Sequence, residues 1–474
     1  MEKYSNILKL LIIFIGGVLM WFNPITTKIS LQAWHLFVIF ICTMVGIVLS
    51  PMPISAIALL GSGASIAFGV LTTQQVLNGF AEKVVWLLIF AFLIARGIIK
   101  TGLGRRIAYY FISKIGKTTL GLSYGLVFTE FLLSPLIPSV TARGGGVIYP
   151  IAKSLVEALT STQEGEENHH LGFKKTMGYI SQVCFQTNVV TSAMFLTAIA
   201  ANPLVQSFAH KAGIEITWGT WALGAIVPGI ISLILVPLII YWVHPPAIKY
   251  SPKAPEHALE ALKKMGKITL KEFIMMITFI SLIIGWILDK KIGIDATAVA
   301  MLGALVLLVT NILDWNDAIN EKGAWDSFIW FAIMIMLSGY LAEFGVITWI
   351  GEGISSSLKH YPTIIAVPAI ILVYFYLHYL FASVSAHVTV LFTTFLFLIS
   401  SFNVPAMLAA MPLAYFSTLS GGLTHYGIAT APIYFETKSV TTKEWWTIGF
   451  VVALANLIIW SIVGSMWWKY LGWF

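Results

Sequence analysis

The stretch Ser139-Val140-Thr141-Ala142-Arg143 has a counterpart 244 residues further on, Ser383-Val384-Ser385-Ala386-His387. Each is a short polar run set between apolar ones, and each ends in a cationic or protonatable side chain. Across 131–143 and 375–387 the same offset matches Phe, Leu, Leu, Ser, Val and Ala, and Trp86 meets Trp330. Two such pentapeptides, one in each hydrophobic half of a chain, point to an internal repeat with a site built where the repeats meet.

Composition makes the chain a membrane protein. Of its 474 residues 58% are hydrophobic and only 10% charged, against roughly 25% charged in a soluble domain. The apolar runs are about as long as a bilayer crossing needs. The N-terminal run from Leu10 to Phe22 is followed by Asn23-Pro24-Ile25-Thr26-Thr27-Lys28, without a small-residue cleavage pattern, so it reads as a retained first span. Cys42 and Cys184 lie in separate apolar segments and support no disulfide framework. The net charge of +7 sits in loops, as cytoplasmic loops require, and calls for no nucleic acid.

Expected spans cover 8–23, 31–50, 54–71 and 84–99, followed by Lys100, Arg105, Arg106, Lys114 and Lys117 with no acid among them. Residues 118–158 run apolar, but Pro135, Pro138 and Gly144-Gly145-Gly146 interrupt their middle, which suits a re-entrant hairpin better than two spans. An acidic loop, Glu164 to Glu167, precedes a long segment, 172–200, expected to break at Gln186-Thr187-Asn188, and a span over 219–243. Residues 244–271 form a cytoplasmic linker with four prolines and six lysines. The second half repeats the order: spans 272–289, 295–313 and 327–343, a hairpin over 362–402, a span over 405–430 broken at Ser420-Gly421-Gly422, and a last span over 446–470.

Counting from an N-terminus inside places both basic regions inside. The second half then starts from the opposite side, and its loop 344–360, with Lys359 and Glu352, lies outside. The expected fold is an all-α polytopic membrane protein with about eleven transmembrane helices and two re-entrant hairpins in an inverted repeat. Its parts are a first span (1–30), repeats over 31–243 and 272–474, and the linker between them. The C-terminus lies outside, and its tryptophans (Trp445, Trp446, Trp467, Trp468, Trp473) read as interface anchors.

The chemistry concentrates at the hairpin tips. Hydroxyls of Ser139, Thr141, Ser383 and Ser385 suit carboxylate oxygens, helix N-termini add partial positive charge, and the glycines at 144–146 allow close backbone approach. A charged side chain at mid-depth costs at least about 2.5–3.5 kcal/mol and requires a partner. For Arg143 that partner is an acid such as Glu130 or a bound anion. His387 is either protonated or a neutral hydrogen-bonded imidazole. Gln182, Gln186, Thr187, Asn188, Thr191 and Ser192 in one broken span, and Ser417, Thr418, Ser420, Thr424, His425 and Tyr426 in the other, complete the candidate site.

The stretches Ser-Val-Thr-Ala-Arg-Gly-Gly-Gly (139–146), Thr-Ser-Ala-Met-Phe-Leu-Thr-Ala (191–198) and Thr-His-Tyr-Gly (424–427) resemble the divalent anion:sodium symporter family, in its branch of citrate/succinate and 2-oxoglutarate/malate exchangers. Sodium-coupled members carry Ser-Asn-Thr at each tip. Here both asparagines are valine, and Arg143 and His387 follow two positions on from the triplets. The resemblance implies that Ser139, Val140, Thr141, Asn188, Thr191, Ser192, Ser383, Ser385, Thr424, His425 and Tyr426 bind substrate, with Arg143 and His387 standing in for a cation. It also implies a homodimer in the plasma (inner) membrane of a bacterium, working by an elevator motion.

The expected function is sodium-independent exchange of di- or tricarboxylates such as succinate, malate, 2-oxoglutarate or citrate. A side-chain cation is always present, so the empty carrier keeps a charge that either anion relieves. The alternative is a sodium-coupled dicarboxylate symporter. An intramembrane hydrolase lacks His-Glu-x-x-His and Gly-x-Ser-x-Gly. An anion channel would pass current without counter-substrate. No nucleotide-binding or metal-binding motif occurs, so neither cofactor nor metal is expected.

Overall fold

The computed structural model describes residues 2–160, 166–358 and 361–474. Glu164 of the expected acidic loop and Lys359 lie outside the described residues. Among those described there is no strand, only one isolated antiparallel bridge between Thr118 and Tyr250. Among the described residues eight helices are long and apolar enough to cross a membrane, from Tyr4–Phe22 to Thr442–Tyr470. Ile54–Ala67, Thr119–Leu133, Ala296–Val309 and Val384–Ser400 are apolar but shorter.

The chain forms two compact units, each assembled from both halves of the sequence: Met1–Ile89, Pro203–Ile216 and Lys322–Ala414 in the first, Phe90–Asn202, Thr217–Glu321 and Tyr415–Phe474 in the second. In the first unit Ile54–Ala67 packs on Lys322–Glu343, where the Ser55 hydroxyl donates to Asp326. At Gly79 a Cβ would stand 2.2 Å from the Ala332 carbonyl oxygen, so only glycine permits this approach. The second hairpin lies here. Its first arm is Thr363–Tyr376, closed by the tight turn Leu377–Leu380, and its second arm begins at Val384.

The second unit holds the first hairpin, the long helix Glu166–Met194 and the helix Trp218–Val243, which pack along each other. Pro228 inside Trp218–Val243 has no N–H to offer the carbonyl four residues back. Trp468 Nε1 donates to that carbonyl, of Gly224, at 2.9 Å. Trp468 and Trp445 are thus buried rather than interface anchors; Trp445 packs its ring on Phe185 and Phe435. The linker contains a helix, Lys253–Met265, lying on Leu103–Ile115. Arg106 donates to Glu272 and to the carbonyl of Gly266, and Ser251 to that of Gly116. Lys100 pairs with Asp314 and Asp317. Both basic regions therefore share one face of this unit, as they must if both lie on one side of a bilayer.

The two hairpins have the same internal order. A break is followed by four α-helical residues, a π-helical turn and an α-helix: Val140–Arg143, Gly144–Ile148 and Tyr149–Thr160 in one, Val384–His387, Val388–Phe392 and Thr393–Ser400 in the other. Each segment starts 244 residues after its counterpart. First arms of 15 and 14 residues rise roughly 21–23 Å at about 1.5 Å per residue, short of the roughly 30 Å hydrocarbon core.

One expected break is displaced. Glu166–Met194 runs unbroken through Gln186-Thr187-Asn188, and the chain opens at Phe195–Ile199, where both end residues are extended around the turn Leu196–Ala198. The polar side chains do not break the helix because they fold back on it or reach other segments: Thr187 donates to Val183 O at 2.7 Å and Ser192 to Asn188 O at 2.6 Å, while Gln186 donates to Gly422 O at 3.0 Å. At the true break Asn202 Nδ2 donates to the carbonyls of Ser192 and Phe195, at 2.7 and 2.9 Å. The other break agrees with expectation: Ala406–Leu419 ends in the tight turn Ser420–Gly422.

Candidate functional site

Arg143 is fully buried, and every arm of its guanidinium is engaged. Nε donates to Glu130 Oε1. One terminal nitrogen donates to the carbonyl oxygens of Ile137 and Ala198, the latter at 3.0 Å, and the other to Ser192 Oγ at 2.7 Å. These partners come from the first arm, the hairpin break, the other chain break and the helix preceding it. Both carbonyls belong to unwound backbone, where no helix partner reaches them. The guanidinium is thus a covalently attached cation sitting on freed carbonyl oxygens.

Glu130 gathers the neighbouring site residues. Asn188 Nδ2 donates to its Oε1 at 2.7 Å, and Thr191 Oγ1 lies 3.1 Å away. Its Oε2 is buried with no hydrogen-bond partner among the described residues. Asn188 Oδ1 accepts from Thr430 at 3.2 Å, and Tyr434 OH donates to Gly144 O at 3.1 Å. The glycine run serves this packing: a Cβ on Gly145 would come within 2.6 Å of Ile433 Cδ1, in the short helix Ala431–Phe435. At the tip Ser139 Oγ accepts from Ala142 N–H at 3.1 Å and lies 2.8 Å from Thr141 Oγ1, and Val140 is buried.

Six expected residues of the second unit therefore stand in two hydrogen-bonded groups: Ser139 and Thr141 at the hairpin tip, and Arg143 of the hairpin with Asn188, Thr191 and Ser192 of the helix Glu166–Met194 around Glu130. Thr424 is buried close in sequence to the Ser420–Gly422 turn, and its hydroxyl has no hydrogen-bond partner among the described residues. His425 and Tyr426 are half-buried, and His425 Nδ1 accepts from Trp446 Nε1 at 3.1 Å. Ser383, Ser385 and His387 belong to the first unit. His387 is fully buried, with Nδ1 3.0 Å from Nδ1 of His378 and the Tyr374 ring edge-on at 4.5 Å. Thr430, Tyr434, the Ile137 and Ala198 carbonyls and His378 did not stand out in the sequence. Glu130, a lone acid in the apolar run 119–133, did carry a signal.

An all-helical fold of apolar spans and broken helical hairpins, with a buried polar cluster beside one hairpin break, defines an integral membrane protein of transporter type. The chain belongs to the family described as the sodium:sulfate symporter transmembrane region, whose model matches residues 4–474. Among its relatives, YflS of Bacillus subtilis (strain 168), named as a candidate malate transporter, is 43% identical over 472 residues, covering 99% of this chain and 98% of its own length. Dicarboxylate transporter 1 of Spinacia oleracea chloroplasts is 44% identical over 476 residues, covering 99% of this chain and 82% of its own length. Inner membrane protein YbhI of Escherichia coli (strain K12) is 33% identical, covering 99% of both. The fold is similar to those of the Alcanivorax borkumensis YdaH transporter (TM-score 0.52, 13% identity, covering 100% of this chain and 98% of that one) and Neisseria gonorrhoeae MtrF (0.56, 13%, 98% and 94%).

Proposed function

We propose that this protein exchanges di- and tricarboxylates of the succinate, malate, 2-oxoglutarate and citrate class across the membrane without sodium. The carboxylate class is supported by the relatives named for dicarboxylate and malate transport and by the hydroxyls of Ser139 and Thr141 at the first tip. The homodimer and elevator motion come with the family resemblance.

The observation that carries the sodium-free reading is Arg143 on the carbonyls of Ile137 and Ala198. Unwound carbonyls of this kind coordinate sodium in coupled transporters, and here a guanidinium that cannot leave occupies them. Glu130 already neutralises that charge, so an uncompensated arginine in the empty carrier is not what makes exchange favourable. The substrate's own charge does so. Moving a dianion alone against about 100 mV costs about 4.6 kcal/mol, at about 2.3 kcal/mol per charge. Without an accompanying cation, one dianion returning for each that enters removes that cost.

Proteoliposomes loaded with succinate should take up labelled succinate or 2-oxoglutarate in sodium-free buffer, unchanged by an imposed potassium diffusion potential. Empty vesicles should take up almost none. Uptake into empty vesicles driven by a sodium gradient would overturn the exchanger and establish the symporter.

A further inference from the structure

We propose that His378 is a positioning residue that fixes the tautomer of His387, so that His387 presents Nε2–H to a substrate carboxylate. The proposal rests on the reading of the second hairpin tip as anion-binding.

The two imidazoles face each other through Nδ1, 3.0 Å apart, and both residues are fully buried. They belong to opposite arms of one hairpin: His378 lies in the turn Leu377–Leu380, His387 ends the segment Val384–His387, and the break 381–383 lies between them. Aromatic rings surround His387, with Tyr374 edge-on at 4.5 Å and Phe381 at 5.4 Å. A contact of 3.0 Å between two ring nitrogens is a hydrogen bond only if one of them carries a proton and the other a lone pair. Two protonated Nδ1 atoms would repel, and two bare ones would set two lone pairs against each other.

Direction decides the consequence. If His387 donates, a neutral His387 has a bare Nε2, and its lone pair repels an anion. If His378 donates, the His387 proton sits on Nε2. That atom is buried and has no hydrogen-bond partner among the described residues. Of the two neutral arrangements, only the second offers a carboxylate a donor. His378 thus sets the hydrogen-bonding sense of its neighbour, as a second ligand on one ring nitrogen sets the state of the other. The bond also ties the two arms across the break, so the donor is held at the tip.

The full-length protein in liposomes, labelled with 15N-histidine, tests this by solid-state NMR, with the His387→Gln spectrum identifying the His387 signals. A bare Nδ1 and a protonated Nε2 on His387 support the assignment; the reverse tautomer overturns it. This readout needs no transport, so it stands even if exchange proves sodium-driven. In exchange assays His378→Asn keeps an N–H on the γ carbon where Nδ1 stood, whereas His378→Phe keeps bulk alone. We expect His378→Phe to lose at least about tenfold in kcat/KM, mostly through KM, and His378→Asn to recover to within about threefold of the parent. Equal loss in both variants, each eluting from a sizing column like the parent, overturns the positioning role, as does full activity in His378→Phe.

Discussion

The two hairpin tips occupy matching places in the chain and share one backbone plan, yet their polar groups are satisfied in opposite ways. The Arg143 side chain draws partners from several segments of its unit, and Ser139 is already used as a helix cap. At the second tip His387 is paired within its own hairpin, one ring nitrogen has no partner among the described residues, and Ser383 makes no side-chain cap. The difference follows from charge. A guanidinium cannot be neutralised by losing a proton, so burying it demands a carboxylate and several acceptors. An imidazole can be buried neutral and needs only one partner. The first tip reads as a fixed element and the second as the one with capacity to spare.

The inverted repeat expected from the sequence has an all-or-none test. If the hairpins are inverted with respect to each other, they open toward opposite faces of the membrane. Lys117 and Tyr361 stand beside the first arms, and both are exposed. Single cysteines placed there, in a background lacking Cys42 and Cys184, should react with impermeant maleimide from opposite sides of sealed vesicles. Labelling from one side would leave the shared backbone plan but remove the inversion.

Next in size is the loss of Arg143. Arg143→Ala leaves Glu130 buried without its cation, which costs about 3–5 kcal/mol when one partner of a buried pair is removed. Exchange should fall to background. Arg143→Ala/Glu130→Ala should regain much of the thermal stability but none of the exchange. Recovery of transport in the double variant would show that the pair is scaffolding and that the first tip needs no cation. Arg143→Lys should keep part of the stability and little transport, since a single ammonium cannot serve Glu130, two carbonyls and Ser192 together.

Much of this contrast was legible in the sequence. Pro135, Pro138 and the polar pentapeptides mark the two breaks because local backbone rules decide them. Ser420-Gly421-Gly422 marks a third for the same reason. The break at Phe195–Ile199 was not legible, since Gln186, Thr187 and Asn188 look disruptive but bond within their helix or across to other segments. Glu130 stood out as an intramembrane acid. Its grip on Asn188 and Thr191, however, depends on how two distant helices pack. His378 carried no signal, because its meaning arises only when a nine-residue return brings it to His387. Trp445 and Trp468 have the composition of anchors, and only the packing around Phe185 and the carbonyl left free by Pro228 shows them to be interior.

The smallest effect gives the finest comparison, because it changes the same atom at both tips. Ser139 Oγ accepts from Ala142 N–H and so holds the first turn of its helix, whereas Ser383 Oγ has no such bond. Replacing an N-cap serine by alanine costs about 1 kcal/mol. Ser139→Ala should therefore lower thermal stability measurably, while Ser383→Ala leaves it within experimental scatter. Transport should respond in the other order. A hydroxyl already held by backbone and by Thr141 has less to give an anion than one that caps no helix, so Ser383→Ala should raise KM severalfold with kcat little changed. The KM shift of Ser139→Ala should be smaller. The pair is informative because each variant controls for the other: equal stability losses would mean that Ser383 caps its helix as Ser139 does. Unchanged KM in Ser383→Ala would remove the Ser383 hydroxyl from substrate binding and leave Ser385 and His387 as the polar contacts of the second tip.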